Sequence, residues 1–509
     1  MKNEEFATAL LKKNDVNEEI TIPHSSFLIP HFSHLIPHSP FPIALFSFLL
    51  ITWGFFQFWY PYHFFYQEQN QLFLWSWDYV STYFEKPGGT AWLIGDFLTQ
   101  FYYYLYAGAA ILSVCLALIG TAVYRALRNF KAGRFIATAV AIALMSFVAI
   151  CHFSTAYHLG STISILGWAS ALWTVSRLFR ARRRTTALFA IVITGAAAWL
   201  LFGMPQIKRL KGPDLILEKN FAIDNEYYFG NYERVEEMVR TSESWNDQML
   251  FFYNLIQAQR GQLADHLMDF TPNYLGTFDK IGPDTPRLTI INMNELYWLL
   301  GDMTFTERAA MMTNVFAPDN RNVRMVKRLA ECNIVSGDSL AAEKYLRLLD
   351  KTLAYRQWAQ NVRQHGKEIY AQKARLVNHH DTITTSDNAH FLMMQLLDAH
   401  PDNGIALDYI LCSDLLLKDI NSFKRDYDRY ATGDDLPDRD VLLHRIHTTK
   451  LYQEALCIWL AGTNAPPEEW QRIHRQDVLQ QFREYNAQRG HPRFKGTYWY
   501  YFDKFKGKI

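Results

Sequence analysis

Residues Phe135–Ile150 read FIATAVAIALMSFVAI, a run without charge, glycine or proline. A bilayer-crossing helix needs ~20 apolar residues, so this run decides how the chain is read. Four further stretches resemble it: Ile43–Trp59, Phe101–Tyr124, Leu159–Val175 and Thr185–Met204. Hydrocarbon holds no water to satisfy a bare backbone, so each is expected to be a helix. After Met204 charged residues become dense and no comparable stretch recurs. The fold expected is all-α: a polytopic transmembrane helix bundle over residues 41–205, followed by a soluble helical part.

The spans differ in character. Ser161, Thr162, Ser164, Ser170 and Thr174 make Leu159–Val175 the least apolar, which suits a helix packed among others through interhelical hydrogen bonds. Arg125, Arg128, Lys131 and Arg134 separate spans two and three, while Arg177, Arg180, Arg182, Arg183 and Arg184 separate four and five. The intervening connections carry only Lys86. Basic loops stay cytoplasmic, so an odd number of crossings predicts an inside N-terminus and a C-terminal part on the extracytoplasmic side. The first span begins after some forty residues and reads as a signal anchor, not a cleavable signal peptide. Residues 1–40 interleave His24, His31, His34 and His38 with prolines; they predict a poorly ordered tail, since proline forbids one helix presenting all four imidazoles.

The outer connection 61–100 is dense in aromatic residues, among them Tyr62, Phe65, Tyr66, Phe73, Trp75, Trp77, Tyr79, Tyr83 and Trp92. Rings with polar tips suit the headgroup layer, and the pattern predicts an interfacial helix around Gln67–Phe84 with a turn at Pro87-Gly88-Gly89. Its carboxylates are Glu68, Asp78, Glu85 and Asp96. An acid held beside a membrane can serve as a general base, as in lipid-linked sugar transferases; the plainer reading is the water side of an amphipathic segment.

The run Gln71-Leu72-Phe73-Leu74 with Tyr79, then Pro87-Gly88-Gly89 and Phe97-Leu98-Thr99-Gln100-Phe101-Tyr102-Tyr103, resembles a signature of an uncharacterised bacterial family of multi-pass membrane proteins with a helical-repeat tail. The closing Gly496-Thr497-Tyr498-Trp499-Tyr500-Tyr501-Phe502 is similar to that family's end. The resemblance implies an architecture and no activity.

From Leu215 apolar residues recur at three- and four-residue spacing. Met325–Leu349 resembles a tetratricopeptide repeat: Leu329 and Ala330 inward on one helix, Gly337-Asp338 at the turn, Ala342, Leu346 and Leu349 on the next. Weaker echoes place turns at Gly230, Gly261 and Gly301, and others without glycine at Leu417-Lys418-Asp419 and Lys450-Leu451-Tyr452. Spacings of 31, 40 and 36 between positions 230, 261, 301 and 337 sit near the ~34-residue repeat. Residues 213–465 are thus expected to form a TPR-like α-solenoid, and 466–509 an aromatic cap folded over the last repeat or onto the membrane, with Lys504, Lys506 and Lys508 available to anionic headgroups.

Chemistry is thinly signalled. Net charge is +1, which argues against a nucleic-acid partner. Cys115, Cys151, Cys332, Cys412 and Cys457 are scattered without metal-site spacing and read as buried small hydrophobes. Asp426-Tyr427-Asp428 falls in a helix, where i and i+2 face apart; His379-His380-Asp381 falls in a polar loop. No phosphate loop, zincin or nucleophile-elbow motif occurs, and no metal or cofactor is expected. The spans bury no mid-membrane Asp, Glu, Lys or His, which argues against secondary transport. The favoured expectation is a non-catalytic membrane-anchored scaffold whose partners are the lipid bilayer and a protein or peptide, its oligomeric state open. The alternative is a reduced polytopic transferase acting on a lipid-linked glycan, with Asp78, Glu85 or Asp96 as catalytic candidates.

Overall fold

The computed structural model describes residues 40–85, 87–178, 212–271, 273–276, 285–317, 320–377, 388–431 and 440–506. Regular structure among them is helical throughout. The chain runs from α1 (Pro40–Phe58) through α2 (Tyr62–Gln69), α3 (Trp77–Phe84) and α4 (Gly89–Thr99) to α5 (Ala107–Asn129), α6 (Arg134–Cys151) and α7 (Leu159–Leu178). Helices α1, α5 and α6 are long and apolar enough to cross a membrane. The expected fourth span is indeed a helix, α7, yet it is not among those three. Its hydroxyls lower its hydropathy and it packs on α4 and α5, where Thr162 pairs with His152 at 2.8 Å and Ser176 with Asn129 at 2.9 Å. The expected fifth span, Thr185–Met204, lies outside the described residues, as does the tail before Pro40.

Two boundaries are corrected. Helix α5 starts at Ala107 and not at Phe101, because Gln100–Tyr103 closes a 3₁₀ turn and Tyr104 is extended. The single interfacial helix expected over Gln67–Phe84 is two helices, α2 and α3, parted by non-helical residues from Gln71 to Trp75 and an extended Ser76. That piece breaks helical hydrogen bonding because it finds partners elsewhere: Val323 N donates to Gln71 O at 3.0 Å and Trp75 N to Lys351 O at 2.7 Å. The loop's aromatic residues are divided accordingly. Tyr66 stacks on Phe221 at 4.3 Å, while Trp75, Trp77 and Phe84 remain exposed.

The second part comprises α8 (Leu215–Tyr228), α9 (Tyr232–Arg240), α10 (Asp247–Gln259), α11 (Arg287–Leu300), α12 (Met303–Phe316), α13 (Val323–Val335), α14 (Ser339–Leu349) and α15 (Arg356–Ile369). It continues with α16 (Ala389–Ala399), α17 (Gly404–Leu417), α18 (Ile420–Ala431), α19 (Asp440–Thr448), α20 (Lys450–Gly462), α21 (Gln476–Ala487) and α22 (Tyr498–Lys504). Sequence neighbours pack as hairpins, α8 on α9, α11 on α12, α13 on α14, α17 on α18. Gly230, Gly261, Gly301 and Gly337 all adopt φ between +69° and +85°, a left-handed conformation that glycine enters without a Cβ clash. Lys418 takes the same conformation without being glycine, at φ +62°. Lys450-Leu451-Tyr452 is no turn: Lys450 opens α20.

The packing departs from a simple linear stack. Helix α17 touches both α10 and α11, which begin 157 and 117 residues earlier in the chain, and one core runs from Ile223 to Tyr501. The aromatic end closes this core. Tyr498 and Tyr501 hydroxyls donate to Leu415 O at 3.0 Å and Leu416 O at 2.7 Å, carbonyls of the last turn of α17, where side chains can supplement the helix's own hydrogen bonds. The cap therefore folds onto helices α17 and α20. All five cysteines are buried and free.

Candidate ligand cavity at the loop–helix junction

The two parts meet where α2 lies against α8 and α13. Pro61 precedes α2 and has no side chain to cap it, so the cap comes from far along the chain: Glu218 Oε1 and Oε2 accept from Tyr62 N at 2.5 Å and His63 N at 3.1 Å. A carboxylate at a helix N-terminus meets unpaired N–H groups and the positive end of the dipole. Burial still dominates, and the Glu218 carboxyl is pushed up to about 8. Glu68, four-hundredths exposed and accepting from the Tyr355 hydroxyl at 3.2 Å, is also pushed to about 8 by burial.

Beside this joint is a buried ion network. Arg324 is 2 % exposed and donates to Asp224 at 2.8 Å, Glu295 at 2.9 Å and Gln69 of α2 at 3.1 Å. Arg328, one helical turn on, reaches Glu295 at 2.6 Å and Glu331 at 2.9 Å. Burial would raise Glu295, but Arg328 and Arg324 outweigh it and hold the carboxyl below its ordinary value.

These groups form one wall of a cavity of about 270 Å³. Aromatic faces carry its cations: Arg324 and Lys327 each lie 4.8 Å from the Tyr228 ring, and Arg328 and Lys373 lie 4.5 and 5.4 Å from that of Trp298. Lys373 is the unusual member. Its ammonium donates to two helix-end carbonyls, Trp298 O at 2.7 Å and Leu299 O at 3.2 Å, and to no carboxylate among the described residues. Burial, with Arg328 nearby, lowers it to about 8. Arg324 Nε is buried without a partner. Four cations face Glu295 and Glu331 on the lining, so the wall is poised for an anionic group.

A larger cleft of about 720 Å³ lies between α18, α20 and the Glu469–Arg472 turn. Four of its lining charges are mutually paired, Lys424 with Asp428 and Arg472 with Glu469 at 3.2 Å, which leaves less for a ligand to neutralise.

The carboxylates singled out from sequence are placed apart. Asp78 and Glu85 are exposed near opposite ends of α3, seven residues and hence ~10 Å apart along the axis. Asp96 on α4 accepts from Tyr83 at 2.6 Å, and Tyr83 pairs with Tyr79, to which Arg321 donates at 2.9 Å. Asp426 is fully buried while Asp428 is exposed, so the two do face apart. His379, His380 and Asp381 lie outside the described residues. The cavity itself went unseen in the sequence. The available signal was Arg324 and Arg328, four apart within the apolar helix of the repeat-like segment, where two charges on one buried face demand partners.

A model of a family of unknown function matches the chain over residues 36–211 and 203–504. No curated protein and no solved structure matches it.

Proposed function

The chain belongs to that family, DUF6057, and since membership brings no activity with it we propose, from the geometry, a membrane-anchored binding protein. In this reading the hairpins of residues 213–465 are degenerate TPR-like repeats, held on the extracytoplasmic side of a bacterial inner membrane by a multi-pass anchor. The partner is a protein or peptide that presents an acidic segment to the junction cavity. One observation carries the proposal: Lys373, a half-buried lysine with no carboxylate partner among the described residues, shares the Trp298 ring with Arg328 at the edge of a cavity. A desolvated cation over an aromatic face gains from an incoming carboxylate, because the attraction is little screened there.

The firm docking of α2 on α8 and α13 explains why the anchor is larger than one span requires: the outer loop is part of the cavity's support. The test uses the full chain in detergent micelles and a fluorescent decapeptide of Asp and Glu, with its Asn/Gln counterpart as control. Anisotropy is expected to rise only with the acidic peptide, and Lys373→Met to weaken binding about tenfold, the loss of roughly one charge-assisted contact. Equal binding of both peptides, or none, refutes the reading. A C-terminal reporter active only in the cytosol refutes the topology separately.

A further inference from the structure

Helices α16, α17 and α18 each send one metal-ligating side chain to a common point away from the cavity. His390, Asp414 and Asp426 offer ligand atoms that all lie within 4.8 Å of one another. His390 is partly exposed at 29 %, whereas Asp414 and Asp426 are buried at 4 % and 0 %. The imidazole sits between them, Nδ1 at 3.4 Å from Asp414 Oδ1 and Nε2 at 2.9 Å from Asp426 Oδ2.

Two buried carboxylates face one imidazole; the second cation, Arg425, has a side chain 58 % exposed and donates to Asp426, Nε to Oδ1 at 3.0 Å and Nη2 to Oδ2 at 3.2 Å, so among the described residues Asp414 has only His390 opposite it. Arg425 Nη2 also lies 3.0 Å from His390 Nε2, the atom that faces Asp426. One ring nitrogen cannot donate to a carboxylate and accept from a guanidinium at once, so proton and guanidinium compete for one role. Asp414 Oδ2, the remaining oxygen, is buried and has no hydrogen-bond partner among the described residues. An unpaired carboxylate oxygen deep among helices is costly, and a second positive charge relieves it.

We propose that His390, Asp414 and Asp426 form a site for a divalent first-row transition ion such as Zn²⁺. One imidazole nitrogen and two carboxylates are donors of that class, and its two charges match the two carboxylates. Mg²⁺ and Ca²⁺ prefer all-oxygen shells with more ligands. Arg425 swings to solvent as the ion enters, and the ion ties three consecutive helices together. Binding displaces the His390 proton. Asp414, Asp426, Arg425 and the more distant Asp419 are the charged groups that face this imidazole, and the two neighbouring carboxylates raise it to about 9.

Zn²⁺ titrated calorimetrically into the full chain in detergent tests this against His390→Ala, Asp426→Asn and Arg425→Ala. The N-terminal histidine tract is present in every sample, so the differences report the site. His390→Ala and Asp426→Asn are expected to weaken one binding event by at least about tenfold, as losing a ligand or its support does. Arg425→Ala is expected to tighten it, and Mg²⁺ to give no saturable heat at that site. Affinity is expected to rise from pH 6 to 9 as the competing proton leaves. Identical titrations of the wild type and His390→Ala overturn the proposal. So does weaker binding in Arg425→Ala, which marks the guanidinium as a permanent member of the cluster.

Discussion

Arg324→Met is the perturbation whose outcome the structure constrains most tightly. The guanidinium is 2 % exposed and is the partner of both Asp224 oxygens, at 2.8 and 3.0 Å. Glu295 loses a 2.9 Å contact but keeps Arg328 at 2.6 Å. Methionine fills much of the volume, so packing changes little; the damage is one carboxylate left charged and buried. Breaking one side of a buried pair costs ~3–5 kcal/mol. For a helical region of this size each kcal/mol moves the midpoint by roughly 2–4 °C, so a fall of roughly 6–20 °C is expected. Tryptophan fluorescence during heating in detergent reads it, because Trp298 lies 4.5 Å under Arg328 in the same network. The reasoning makes a second, sharper demand. Adding Asp224→Asn is expected to restore most of the loss, since the stranded charge is then gone, whereas adding Glu295→Gln is expected to make matters worse by leaving Arg328 with Glu331 alone of its two carboxylates. A drop below about 1 kcal/mol in Arg324→Met, or equal rescue by both second changes, would refute it.

Two further outcomes follow from named groups. Burial pushes Glu218 and Glu68 from 4.5 to about 8, so their contribution to docking is complete below 4.5 and is lost as pH rises through 8. Melting temperature measured between pH 5 and 9 is expected to fall less steeply in Glu218→Gln than in the wild type; parallel curves contradict this. Gly337→Ala is expected to cost ~1 kcal/mol, since φ is +82° but a Cβ there meets open space. Gly301→Ala is expected to cost about 1–3 kcal/mol more, because its Cβ would lie 2.9 Å from Leu376 Cβ and Cδ1, a difference chemical denaturation resolves.

Much of the backbone plan was legible because it rests on local rules. Apolar runs marked α1, α5 and α6, and glycines at 230, 261, 301 and 337 marked reversals that only a left-handed residue completes. Where α3 begins was not legible. The non-helical stretch from Gln71 to Trp75 exists because Val323 and Lys351, some 250 and 275 residues on, supply its hydrogen bonds. The turn at Leu417-Lys418-Asp419 was legible, but the left-handed backbone at Lys418 was not, for a related reason. Its left-handed φ is held from outside, its ammonium donating to Phe502 O at 2.6 Å.

The sequence by itself determined that the described residues are helical, that α1, α5 and α6, three of the five stretches read as spans, suit a bilayer, and where several hairpins turn. Those outcomes depend on hydropathy and backbone sterics, which neighbours along the chain decide. Tertiary structure alone decided that Glu218 caps α2, that Arg324 bridges Asp224, Glu295 and Gln69, and that His390 meets Asp414 and Asp426. Charges are removed from water only where distant segments converge, and each must then find its counter-charge in three dimensions. No spacing along the chain records that meeting.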